Sequence, residues 1–127
     1  MPGNNVPNAR VLLVEDEFLI RIMLAEALAE VGLDVVDAAG GDEGIRCLDE
    51  SPRFDLVITD VQMPGLADGI EVARHARKHF PEVPIIFATA RPDSVRAFKE
   101  RREFDTVVQK PYGPDQVIAL LRGIIES

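Results

Sequence analysis

Apolar residues along this chain follow two alternating patterns. Short continuous runs at 11–14, 56–59, 85–88 and 106–108 are bounded by polar or turn-forming residues. Runs of that length without polar alternation predict strands covered on both faces. Val35 and Val36 mark a shorter strand between the first two runs. The intervening segments carry helical spacing instead. Over 17–31, Ile20, Leu24, Ala27, Leu28 and Val31 share one face, and Gly32 supplies the stop. Residues 42–50 predict a short helix that ends before Pro52. A loop with Pro64, Gly65 and Gly69 leads into a helix over 70–79, and Pro81 and Pro84 bracket the turn to the next strand. Residues 93–102 predict a weak helix, because few apolar positions repeat there. Pro114 suits the first turn of the last helix, whose Val117, Leu120, Leu121 and Ile124 form a stripe.

Five strand–helix units predict an α/β fold: a flavodoxin-like, doubly wound, five-stranded parallel sheet with five helices. With strand order 2-1-3-4-5, the crevice at the carboxyl ends of strands one and three is the expected ligand site. The chain has 127 residues, which fits one domain. Residues 1–8, with two Pro, one Gly and three Asn, read as a flexible tail, leaving 9–127 as the domain.

Charge narrows the function classes. The net charge of −8 argues against direct binding of nucleic acid. It is uneven: residues 1–64 carry 4 basic and 13 acidic side chains, and 65–127 carry 10 and 9. One stretch, 91–102, is locally basic through Arg91, Arg96, Lys99, Arg101 and Arg102. It reads as a solvated face or as a docking surface for an acidic partner. No apolar run approaches the roughly 20 residues of a membrane span, and the first residues lack the pattern of a signal peptide. A single cysteine, Cys47, forms no internal disulfide and suits a reducing compartment, so a cytoplasmic location is expected.

The predicted strand ends carry the chemistry. Glu15 and Asp16 follow the first strand, Asp60 ends the third, Thr89 follows the fourth, and Lys110-Pro111 follows the fifth. Each residue alone has an ordinary explanation, as a helix-terminal acid, a turn residue, a cap or a surface lysine. Together they match the needs of phosphoryl transfer to a carboxylate. Asp60 is the expected nucleophile, since an ionised oxygen needs no general base. Glu15, Asp16 and Asp60 are expected to hold Mg²⁺, with the Gln62 backbone carbonyl as a further ligand, because hard cations favour oxygen. Lys110 would neutralise charge on the transferring group, and Thr89 would donate to one of its oxygens.

On these residues the chain resembles response-regulator receiver domains of two-component signalling. The segments at 11–17, 59–65 and 87–90 and the pair Lys110-Pro111 match the family motifs in order, and the resemblance spans about residues 9–125. It implies that Asp60 accepts a phosphoryl group from a histidine kinase or histidine phosphotransfer protein. It implies a cis Lys110–Pro111 bond. It also implies that phosphorylation draws Thr89 inward and reshapes a protein-binding face of helix four, strand five and helix five. Two departures touch that readout. Val108 stands where many receivers carry an aromatic residue. Phe87-Ala88-Thr89-Ala90-Arg91 resembles the Phe-Ala-Thr-Gly-Tyr stretch of certain stand-alone receivers but lacks its Gly and Tyr. Arg91 is therefore expected to influence phosphoryl lifetime or partner contact.

Other readings carry less. An aspartate-based phosphatase would need an acid–base aspartate two positions after the nucleophile, where this chain has Gln62. A degenerate receiver that is never phosphorylated conflicts with the complete acidic set. His75 and His79 stand four apart, but no acidic ligand is evident nearby and a metal site is not expected. Cys47 reads as a packing or surface residue and Tyr112 as a packing residue, and Gly40-Gly41 lacks a phosphate-loop lysine. The chain stops just after the last predicted helix, which fits a stand-alone regulator or a domain of a longer protein.

Overall fold

Val11, Leu12, Leu13 and Val14 are all but sealed from solvent, and so are Leu56, Val57, Ile58, Ile85, Ile86 and Phe87. Such strands cannot sit at a solvated face, and in the computed structural model they form the centre of a five-stranded parallel sheet. The structure describes residues 9–126; the expected tail, residues 1–8, and Ser127 lie outside the described residues. The strands are β1 (Arg10–Val14), β2 (Asp34–Ala38), β3 (Leu56–Asp60), β4 (Ile85–Thr89) and β5 (Thr106–Gln109), in the order β2-β1-β3-β4-β5. That is the order expected from the sequence.

Alternate residues on each strand serve opposite cores. Leu12, Val14, Val57, Ile85 and Phe87 pack with Leu48, Val72, Ala73, Ala76, Val95 and Phe98. These partners come from helices α2 (Gly41–Glu50) and α3 (Gly69–His79) and the segment after β4. Val11, Leu13, Leu56, Ile58, Ile86 and Ala88 pack with Leu24, Leu28, Val117 and Leu121. Those belong to α1 (Phe18–Glu30) and α4 (Pro114–Glu126).

The weak helix expected over 93–102 is a six-residue 3-10 helix, Pro92–Ala97, followed by turns. Only Val95 and Phe98 in this segment reach the core, and Lys99–Arg102 offer no apolar stripe that a longer helix could bury. With that short element counted, five helical elements flank the sheet.

A buried ion pair fastens the same side. Arg77 of α3 binds the carboxylate of Asp105, just before β5, and donates to the carbonyls of Pro81 (3.0 Å) and Val83 (2.6 Å). Asp105 also accepts from the backbone amides of Ile85 and Arg102 at 3.0 and 2.8 Å. Both oxygens of the buried carboxylate are thereby given partners, as such burial demands. Helix α1 differs from the others because it is apolar around most of its circumference: Phe18, Leu19 and Met23 are 61%, 68% and 59% exposed.

Candidate functional site

Parallel register brings the strand ends level. Val14 pairs with Thr59, Asp60 with Ala88, and Thr89 with Gln109. The residues expected to carry the chemistry thus converge on the carboxyl edge of the sheet. Carboxylate oxygens of Glu15, Asp16 and Asp60 all lie within 4.8 Å of one another. Lys110 Nζ donates to Asp60 Oδ2 at 2.9 Å and lies 3.3 Å from Glu15 Oε1. The Lys110–Pro111 bond is cis, as the resemblance implied.

Backbone contacts fix this cluster. The amide of Glu15 donates to Ala38 and that of Lys110 to Thr89, at 3.1 and 2.9 Å. Glu15 Oε2 accepts from the Glu17 amide at 3.0 Å, and Arg21 donates to the Glu15 carbonyl at 2.9 Å. The loop after β3 folds back on Asp60, with the Gly69 amide bonded to the Val61 carbonyl at 2.9 Å. A Cβ on Gly69 would stand 2.0 Å from the Asp60 carbonyl oxygen, so this close approach requires glycine.

Electrostatics follow from burial. Glu15 and Asp60 are nearly inaccessible, whereas Asp16 is exposed. Burial pushes the Glu15 and Asp60 carboxyls above their usual range, and the proximity of the other acids adds to it; Lys110 pulls both back. Burial pulls the Lys110 ammonium down, but its bond to Asp60 and the charge of Glu15 outweigh that and hold it above the ordinary value. One Lys110 therefore faces a crowd of acids, an arrangement that favours an added cation.

Thr89 is fully buried at the end of β4. Its hydroxyl donates to Gln62 Oε1 at 2.6 Å and accepts from the Arg91 amide at 2.9 Å. Gln62 Nε2 donates to Ser94 Oγ at 3.0 Å, and Ser94 donates to the Arg91 carbonyl at 2.6 Å. Sequence reasoning assigned Gln62 only through its backbone carbonyl, read Gly69 only as a loop residue and passed over Ser94. An amide two residues beyond a strand gives no signal of which side chain it will reach.

The residues set aside divide. Burial, with help from Glu43 and Glu50, pushes the Cys47 thiol up, as suits an unreactive thiol. Tyr112 packs beside Lys110 with its phenol pushed up to about 12 by burial and by the charge of Glu15. The expectation that no acid stands near His75 and His79 is overturned. Asp49 Oδ1, reaching from α2, lies 2.6 Å from His75 Nε2 and 3.2 Å from His79 Nε2. The two helices pack side by side, a neighbour relation that spacing along one helix does not reveal. Among the described residues, no helix is long and apolar enough to cross a membrane.

Comparison with known proteins gives the family and the fold. The response regulator receiver domain family matches residues 11–122. The chain is 32% identical over 119 residues to the alkaline phosphatase synthesis transcriptional regulatory protein PhoP of Bacillus subtilis, covering 93% of this chain and 49% of that protein. It is 42% identical over 85 residues to the transcriptional regulatory protein AfsQ1 of Streptomyces coelicolor, covering 67% and 36%. The chain thus spans about half or less of these curated relatives. Among solved structures, chemotaxis protein CheY4 of Vibrio cholerae superposes with a TM-score of 0.78 at 28% identity, covering 91% and 98% of the two chains. A response regulator receiver protein from Sinorhizobium medicae shares the fold, with a TM-score of 0.85 at 23% identity over 94% and 96%. The matched segment runs from β1 into α4 and takes in every strand end described above, and the chain belongs to the response regulator receiver domain family.

Proposed function

We propose that residues 9–127 form a phosphorylation-controlled interaction module in which Asp60 accepts a phosphoryl group from a histidine kinase or histidine phosphotransfer protein. The observation that carries this reading is the convergence of a buried Asp60 with Lys110 at 2.9 Å and two further carboxylates at one sheet edge. An Asp60 oxygen attacks phosphorus, a P–O bond forms as the donor's P–N bond breaks, and the electron pair leaves with the imidazole. Lys110 stays beside the charge that builds on the phosphoryl oxygens. Thr89 exchanges its bond to Gln62 for one to a phosphoryl oxygen. The domain promotes only its own phosphorylation and dephosphorylation. A phosphatase lacks its acid here, since Gln62 holds Thr89 and Ser94 with an amide.

The donor set fits Mg²⁺. It is all oxygen, and buried Glu15 Oε1 has no hydrogen-bond partner beyond its ion pair with Lys110 at 3.3 Å. Glu15, Asp16, Asp60 and the Gln62 backbone carbonyl would hold the ion. When bound, it supplies positive charge to phosphoryl oxygens that Lys110 alone cannot balance.

Partner surfaces follow from position. Phe18, Leu19 and Met23 expose apolar surface directly after the acidic pair, where a donor protein must approach Asp60. Output runs through Thr89 to Arg91 and Ser94, and so to the face made by the 3-10 helix, β5 and α4. Val108 is buried under that face and has no ring to rotate, so Arg91 takes the reporting position. In this it stands nearest the stand-alone receivers with a Phe-Ala-Thr-Gly-Tyr-like stretch. A cytoplasmic location follows from the kinase partner.

The test is intact mass after incubation with a small phosphodonor and Mg²⁺. Wild type is expected to gain one phosphoryl group and Asp60→Asn none. A wild-type protein that stays unmodified with every donor overturns the proposal.

A further inference from the structure

Two helices place three metal-ligating side chains together at the far end of the domain from Asp60. His75 and His79 stand one turn apart on α3 and present their Nε2 atoms to the same oxygen, Asp49 Oδ1 of α2, at 2.6 and 3.2 Å. One atom from each residue falls within 4.8 Å of the others, and the two rings lie 4.7 Å apart, tilted by 44°. We propose that Asp49, His75 and His79 form a binding site for a borderline transition-metal dication of the Zn²⁺ class, bridging α2 and α3.

The donor set decides the class. Imidazole suits Zn²⁺, Ni²⁺ and Cu²⁺, whereas Mg²⁺ takes oxygen. Two imidazoles and one carboxylate are a common three-ligand zinc set, with water in the fourth position. Side-chain exposures of 51%, 28% and 41% for Asp49, His75 and His79 leave that position open to solvent. In a tetrahedral site with bonds of roughly 2.0–2.2 Å, adjacent ligand atoms stand about 3.4 Å apart. His79 and Asp49 are already near that separation, and His75 needs to withdraw by less than 1 Å.

An ordinary ion pair accounts for these residues less completely. One protonated imidazole satisfies a half-exposed carboxylate, yet here a second imidazole is aimed at the same oxygen. The two residues' shared helix face comes from the four-residue spacing, and the third ligand from helix packing. Ring packing steadies His79 from one side, where Phe80 lies 6.2 Å away and itself meets Phe54 edge-on.

The site is separate from the acidic cluster. Helix α3 starts at Gly69 against the Asp60 backbone, and His79 is ten residues further, about 15 Å along the axis. Mg²⁺ and Zn²⁺ would therefore sort between two sites by ligand chemistry. Occupancy would tie α2 to α3 and stabilise the fold by ligand linkage. None of this depends on Asp60 being phosphorylated.

Isothermal titration of the whole chain with Zn²⁺, in saturating Mg²⁺ to occupy the oxygen cluster, tests the proposal. Wild type is expected to bind one equivalent and to melt at a higher temperature with Zn²⁺ than without. His79→Gln and Asp49→Asn are each expected to weaken binding at least about tenfold, and His75→Gln/His79→Gln to remove the thermal shift. All three positions are partly exposed, and far-UV circular dichroism checks that the variants fold. Absence of Zn²⁺ binding by wild type, or equal binding by the double variant, overturns the proposal.

Discussion

Thr89 donates its hydroxyl hydrogen to Oε1 of Gln62 at 2.6 Å, which ties the end of β4 to the loop after β3. The same hydroxyl has only one hydrogen to give. It cannot serve Gln62 and a phosphoryl oxygen on Asp60 together. A neutral hydrogen bond contributes about 1 kcal/mol net, so the competing bond is worth roughly fivefold in a binding constant. Gln62→Ala is therefore expected to bind beryllofluoride, a phosphoryl mimic, about fivefold more tightly in Mg²⁺. Fluorescence or calorimetric titration measures this, and an unchanged affinity would show that the bond does not compete.

Asp105 is expected to be the most costly acidic residue to lose outside the site. Its carboxylate is fully inaccessible and serves Arg77 and the amides of Ile85 and Arg102. Asp105→Ala strands a buried guanidinium and leaves an amide of β4 unpaired. Removing one partner of a buried pair costs about 3–5 kcal/mol. Urea unfolding of the variant against wild type measures it. A loss below 1 kcal/mol, roughly that of an exposed pair, would mean the guanidinium finds water instead.

What was legible in the sequence was whatever local periodicity encodes. Unbroken apolar runs announced the buried strands, and polar residues at their ends announced the sheet edge, because parallel register levels those ends without further information. The 3-10 helix was less legible: Val95 and Phe98 are too few to define a face, and the chain there follows the core it covers. Contacts made across elements left no trace. Asp49 meets His75 and His79 only because α2 packs on α3, and Gln62 meets Thr89 only because β3 neighbours β4. The burial of Asp105 likewise depends on Arg77 of α3 standing beside it, a contact that no local pattern encodes.

Gly69 tests how tightly the loop after β3 positions Asp60. The added methyl of Gly69→Ala would meet the Asp60 carbonyl oxygen at 2.0 Å and the Val61 Cα at 2.7 Å, both backbone atoms that do not swing aside. Overpacking of this kind costs typically about 1–3 kcal/mol. A backbone shift at Asp60 would disturb the 2.9 Å contact between its carboxylate and Lys110, so phosphorylation by a small donor is expected to slow along with the loss of stability. A contrasting Gly65→Ala affects stability through its positive φ of 111° but meets no atom within 4 Å, and should leave the reaction rate nearly unchanged. Equal rates for Gly69→Ala and wild type would show that Asp60 is not held by this contact.

Tyr112 offers a pH readout that no other residue obscures, since the chain has one tyrosine and no tryptophan. Burial, then the negative charge of Glu15, pushes its phenol up to about 12, while an unfolded tyrosine titrates near about 10. The folded state therefore prefers the neutral phenol more than the unfolded state does. Its contribution to stability is full below about pH 10 and is lost as pH rises through about 12. Phenolate absorbance of the folded protein is expected to rise near pH 12, and of the urea-unfolded protein near pH 10, with circular dichroism marking where folding is lost. Glu15→Gln removes the nearby negative charge but leaves the burial, so its midpoint should fall only part of the way toward the unfolded value. A variant midpoint equal to that of wild type would assign the whole shift to burial. It would also show that the Glu15 charge does not reach across the Lys110 side chain to the ring.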